Sequence, residues 1–139
     1  MISHVTFVVR DLERSASFWK KIFGAKEVYA SEAIKYFDVD GLWVALNIGE
    51  PPNQRSYNHI AFKIHENEMD GYLVRIKEVG TEIRPDRPNR RAGEGASIYF
   101  YDFDNNLFEL HTGTLAERLV GYSTNDMQKR KGNVQNEDN

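Results

Sequence analysis

A strand, a helix and three further strands are written twice in this chain, and no other feature narrows the available folds as far. The first copy reads as a strand from Val5 to Val9, a helix from Leu12 to Phe23, and short strands near Glu27 to Ala30, Ile34 to Val39 and Leu42 to Ile48. The second reads as a strand from Asn58 to Ile64, a helix from Glu68 to Val79, and strands near Glu82 to Arg84, Ser97 to Tyr101 and Leu107 to His111. Alternating or apolar runs bounded by polar turn residues mark the strands. Leu12, Ala16, Trp19 and Phe23 form one apolar stripe at helical spacing; Met69, Leu73, Ile76 and Val79 form the other. Asp11 and Asn67 are the expected N-caps, and Gly24 and Gly80 the expected left-handed ends. The expectation is an α+β fold of tandem βαβββ repeats, about residues 1–50 and 56–122, in one domain over 1–122. Residues 123–139 hold too little apolar surface to pack and predict a disordered polar tail.

Aligning the two copies brings out a chemical pattern. His4 and His59 take the same place in the two first strands. The turn Asp38-Val39-Asp40-Gly41 corresponds to Asp102-Phe103-Asp104-Asn105. With a gap at Asn106, Trp43 falls opposite Phe108 and Val44 opposite Glu109. A duplicated site can carry four ligands, but valine cannot ligate. His4, His59 and Glu109 are then three metal ligands with coordination positions left for water or substrate, as in a catalytic site. The plainer alternative is that each histidine is a hydrogen-bonded core residue. Against it, a carboxylate in an otherwise apolar strand wants a cation. The residues alone leave both readings open.

Arg84, Arg87, Arg90 and Arg91 cluster around a Pro-containing loop, and Arg118 lies on a short helix expected to begin at Thr114. Guanidinium groups suit phosphate or phosphonate oxygens, although a solvated charged loop has the same composition. Gly93-Glu94-Gly95 has no P-loop lysine and is not a nucleotide motif. Thr6, Trp43, Tyr57, Ser97 and Tyr99 offer hydroxyls and aromatic surface near the same strand ends, and core or interface roles would account for them equally well. Tyr36, Phe37, Phe100 and Phe108 are the expected core. A net charge of −3 and a pI near 5.8 argue against nucleic acid as a partner. The absence of cysteine excludes thiolate ligands and a cysteine nucleophile. No apolar run could span a bilayer and no signal-peptide pattern opens the chain, so a cytoplasmic protein without membrane contact is expected.

The duplicated pattern with this triad resembles the vicinal-oxygen-chelate superfamily and, within it, the fosfomycin-resistance enzymes, over about residues 1 to 122. Gly93 to Leu115, with Ser56-Tyr57-Asn58-His59-Ile60-Ala61-Phe62, is similar to the fosfomycin epoxide hydrolases (the FosX type). Gly41-Leu42-Trp43-Val44-Ala45-Leu46-Asn47 resembles the thiol transferases (the FosB type) at least as well. The resemblance implies a divalent ion, usually Mn²⁺, on His4, His59 and Glu109, and leaves room for a monovalent cation. It implies catalytic roles for Thr6, Tyr99 and Arg118, and substrate contacts from Trp43, Tyr57 and Ser97. Arg87, Arg90 and Arg91 compete for the phosphonate-binding place, because this loop has one residue more than the hydrolases. It also implies a homodimer with exchanged repeats whose metal sites draw ligands from both chains.

Two departures bear on the nucleophile. The hydrolases use a glutamate base shortly before the Trp43 strand, where this chain has Ile34; Glu32 lies two residues earlier, on the same face if the strand continues. Many transferases carry cysteine where this chain has Thr6, while those using glutathione carry threonine. Water needs a base more than a thiol does, so the expected reaction is addition of a low-molecular-weight thiol to the epoxide, with water addition a close second. Two other readings stand beside these: an Fe(II) extradiol dioxygenase of the same superfamily, and a non-enzymatic antibiotic-binding dimer. A glyoxalase-type isomerase would need the fourth ligand.

Overall fold

The computed structural model describes residues 1–85 and 95–137. The first repeat comprises β1 (His4–Val9), α1 (Leu12–Phe23), β2 (Lys26–Ala30), β3 (Ile34–Val39) and β4 (Leu42–Ile48). The second comprises β5 (His59–Lys63), a single 3-10 turn (Glu66–Glu68), α2 (Met69–Val79), β6 (Ile83–Arg84), β7 (Ser97–Tyr101) and β8 (Leu107–His111), and α3 (Leu115–Glu137) follows. The repeats build matching four-stranded sheets, ordered β1-β4-β3-β2 and β5-β8-β7-β6. In both, the first strand of the repeat pairs in parallel with the last, and the other pairs are antiparallel.

Strand alternation divides each sheet into two faces. Phe7, Val9, Phe37, Val44 and Leu46 of the first sheet, and Ile98, Phe100, Phe108 and Leu110 of the second, join one core with Phe18, Trp19 and Ile22 of α1 and Ile76 of α2. Phe108 sits at its centre, its ring 5.4 Å from both Phe7 and Trp19. The buried face of α1 is therefore wider than the expected stripe, because Phe18 and Ile22 are as enclosed as Trp19. Tyr36 departs from the expected core set. It lies on the opposite face of β3, in ring contact with Tyr29 and Trp43.

Asp11 caps α1 through the Arg14 amide at 3.0 Å, and Gly24 closes it with φ 64°. Asn67 does not cap α2. It lies inside the 3-10 turn, where the His65 amide donates to the Glu68 carboxylate at 3.0 Å. Thr114 does cap α3, accepting from the Glu117 amide at 3.1 Å. That helix runs to Glu137, through the segment expected to be a disordered tail from residue 123. Once a capped first turn is formed, each further residue adds a hydrogen bond, so polar sequence can continue a helix that it could not start.

The register corrects the alignment of the repeats. His4 pairs with Trp43 and Thr6 with Ala45; His59 pairs with Leu107 and Ala61 with Glu109. The counterpart of Glu109 is thus Ala45, not Val44. Val44 is fully buried in the core, as is its true counterpart Phe108. The expectation that the first repeat lacks a fourth ligand holds with alanine in that place.

The linker between the repeats is tied to the second sheet. Arg55 stacks 3.8 Å over the Tyr101 ring, pairs with Glu82 at 2.6 Å and donates to Asn105 at 3.2 Å. The Asn105 amide also donates to the Pro52 carbonyl at 3.2 Å. These contacts fix the approach of the chain to Tyr57 and His59. No helix among the described residues is long and apolar enough to cross a membrane.

Candidate metal and anion site

On the face of the second sheet turned away from the core, β8 presents Glu109 beside His59 of β5 and Ser97 of β7. Glu109 is only 6% exposed, and so needs a partner for its charge. Its Oε1 lies 3.1 Å from His59 Nε2, and its Oε2 accepts from the Ser97 hydroxyl at 2.6 Å. Ser97 Oγ also lies 2.7 Å from His111 Nδ1. Tyr57, His59 and Tyr99 form an aromatic wall: the Tyr57 and Tyr99 rings stand 5.0 and 5.4 Å from that of His59. Burial above all, then the hydrogen bond with Tyr57 and the nearby negative charge of Glu109, push the Tyr99 hydroxyl up, so it keeps its proton.

The His59 geometry suits a cation. Its Nδ1 lies 2.8 Å from the Tyr57 carbonyl, an acceptor only, so Nδ1 carries the hydrogen. Nε2 then faces the carboxylate oxygen at 3.1 Å, an approach that a cation shared by the two groups would satisfy. Two ligands about 2.1–2.2 Å from one ion, at right angles, are about 3.0 Å apart. His4 has Ser3 Oγ 3.0 Å from its Nδ1, and its ring is stacked 4.2 Å from Trp43.

His4 nevertheless belongs to the other sheet. Among the described residues, no three His, Cys, Asp or Glu side chains of the single chain come together as a metal-binding group. His59 and Glu109 thus lie together on the second sheet, while His4 lies on the first. Thr6 and Trp43 share the face of His4 and are exposed.

Beside Glu109, a cleft of about 240 Å³ is lined by Ala61, His111, Gly113, Thr114, Leu115 and Arg118. Arg118 occupies the first turn of α3, where the free amides and helix dipole also favour an anion. Arg84 pairs with Tyr99 between β6 and β7 and lies 4.9 Å over the Tyr57 ring, against the aromatic wall of the site. Arg87, Arg90 and Arg91 lie outside the described residues. Glu32 does not extend β3: Ser31 Oγ accepts from the Ala33 and Ile34 amides at 3.3 and 3.1 Å, turning the chain there, and Glu32 is exposed on that turn. The geometry thus withdraws the condition under which Glu32 would share the face of the site. His111 was not singled out in the sequence. Its signal was only its place two residues beyond Glu109, on the same face of the strand.

Paired βαβββ repeats with histidines on matching edge strands define a class of protein, and this chain belongs to the Glyoxalase/Bleomycin resistance protein/Dioxygenase superfamily, whose family model matches residues 1–110. The fosfomycin resistance protein FosX of Listeria monocytogenes is 49% identical over 128 residues, covering 87% of this chain and 96% of that protein. The metallothiol transferase FosB of Shouchella clausii is 42% identical over 125 residues, covering 87% and 86%. A crystal structure of a point variant of the Listeria FosX, complexed with Mn(II) and 1S,2S-dihydroxypropylphosphonic acid, superimposes with a TM-score of 0.83 at 50% identity, covering 88% of this chain and 97% of that one.

Proposed function

We propose that this protein is a divalent-metal-dependent enzyme that inactivates fosfomycin by opening its epoxide with a low-molecular-weight thiol, acting as a cytoplasmic homodimer. The observation that carries the reading is the His59 Nε2 to Glu109 Oε1 approach of 3.1 Å, with the other ring nitrogen committed to the Tyr57 carbonyl. His59 and Glu109 of one chain and His4 of its partner would hold the ion, Mn²⁺ by analogy with the FosX complex. When bound, the ion supplies a Lewis acid that offsets negative charge growing on the epoxide oxygen.

The chain's own residues supply the rest. Arg118, at the amino end of α3, binds the phosphonate, and Arg87, Arg90 and Arg91 are the loop candidates to join it. Holding the phosphonate fixes the epoxide carbon for attack from the rear. Tyr99, kept protonated, donates to an oxygen of the substrate. Tyr57 walls the cleft, and Thr6 and Trp43 enter with His4 from the partner. Ser97 sits at the substrate edge with its hydroxyl donating to Glu109. A monovalent cation near this edge belongs to the same reading.

The exposed turn at Glu32 and the apolar Ile34 favour the thiol, because neither supplies a general base at the substrate. Water is the second reading, favoured by the higher identity to FosX than to FosB. Product analysis by mass spectrometry after incubation with Mn²⁺ and fosfomycin, with and without each small thiol, separates them. A general base is worth about 10²–10⁴-fold, so the expected thiol adduct should outrun the diol by a visible margin. Rapid diol formation without thiol would refute the thiol assignment, and neither product would refute the fosfomycin reading.

A further inference from the structure

The Ser97 hydroxyl touches both Glu109 and His111, yet it has one proton to give. Glu109 Oε2, at 2.6 Å, is an acceptor and takes it. With that proton committed, His111 Nδ1 at 2.7 Å must donate to the Ser97 oxygen. The reverse arrangement would set an oxygen lone pair against a carboxylate oxygen at that short distance. His111 Nδ1 also lies 3.3 Å from the same Oε2, so its N–H faces the carboxylate from beside the hydroxyl. The direction of the chain is thereby settled: His111 Nδ1–H to Ser97 Oγ, and Ser97 O–H to Glu109 Oε2. It leaves Oε1 turned towards His59, which is the orientation a shared cation requires.

All three residues stand on adjacent antiparallel strands, where Ser97 pairs directly with His111 and Tyr99 with Glu109. The relay is therefore built from backbone register rather than from flexible loops. Ligating carboxylates are commonly held in this way by outer hydrogen bonds, whose loss weakens the metal as much as a poorer ligand would.

We infer that His111 is a positioning residue: acting through Ser97, it orients the Glu109 carboxylate and sets the affinity of the metal site. The inference rests on the metal reading given above. Its test is Mn²⁺ affinity measured by calorimetry on the whole protein, with circular dichroism and the thermal midpoint as controls for folding. His111→Leu should weaken Mn²⁺ about 10–100-fold while the fold persists. His111→Asn, whose amide N–H can stand near the place of Nδ1, should restore affinity close to wild type. Ser97→Ala should lose as much as His111→Leu, and the double variant no more than either, because both cut one chain. Wild-type affinity in folded His111→Leu, or losses that multiply in the double variant, would overturn the inference. Should His111→Leu not fold, Ser97→Ala is compared with the Ser97→Ala/His111→Asn pair: equal affinities support the relay and a further loss overturns it. If the wild-type chain binds no Mn²⁺, or Glu109→Ala binds it unchanged, the metal reading itself fails.

Discussion

Arg118 is half-buried, and its backbone is already committed, its amide donating to the Thr114 carbonyl at 3.0 Å. What it offers a ligand is a guanidinium at the rim of the Glu109 cleft. A charge-assisted hydrogen bond in such a place is worth roughly 1.5–3 kcal/mol. Arg118→Ala should lower kcat/KM for the phosphonate by about 10–100-fold while Mn²⁺ affinity is unchanged. A fall in thermal midpoint with kinetics intact would make Arg118 a structural residue. This division of labour was partly legible beforehand. His4, His59 and Glu109 stood out because each interrupts an apolar strand with chemistry that a core does not use. Ser97 was legible only as a hydroxyl for substrate and His111 not at all, because a histidine at a strand position is ordinary until the strands are paired and the two side chains are found 2.7 Å apart.

Among the elements, α1 is pinned to the first sheet by one buried cation. Lys35 of β3 is 6% exposed, with its Nζ 2.8 Å from Glu27 of β2 and 3.1 Å from Glu13 of α1. The hydrogen bond from Lys35 holds the Glu27 carboxyl below its ordinary value of 4.5. A carboxyl depressed in the folded state stabilises fully above its unfolded value, and that share is lost as pH falls through the folded one. Thermal midpoints should therefore show Lys35→Met below wild type at pH 7, with the gap closing as the pH drops below about 4.5. A gap constant down to pH 3 would show that Lys35 stabilises by packing its stem alone. Element ends were readable where one residue dictates the geometry, as Asp11 and Gly24 do for α1. Register was not readable. The register counterpart of Asp38 is Tyr101, since the two pair with Trp43 and Leu107, the partners of His4 and His59, so matching Asp38 to Asp102 by turn composition slipped β4 by one position. A slip of one exchanges the two faces of a strand. That is how a core valine came to stand in for the alanine that faces the site. The full length of α3 was hidden for a different reason: helix propagation depends on a capped start more than on the composition that follows.

For the molecule as a whole, the separation of His4 from the His59–Glu109 pair has a genetic consequence. In a two-fold dimer with exchanged repeats, each site takes its first histidine from one chain and its other two ligands from the second. His4→Ala and Glu109→Ala chains would each be inactive as pure preparations. Mixed by co-expression or by refolding together, they form hybrids in which one site inherits both defects and the other inherits none. Random assortment makes half the dimers hybrid, so activity should return to about a quarter of wild type. Sites confined to single chains would give no recovery at any mixing ratio. Recovery would show that the two defects complement each other across chains, and so that His4 works with the His59–Glu109 pair of its partner.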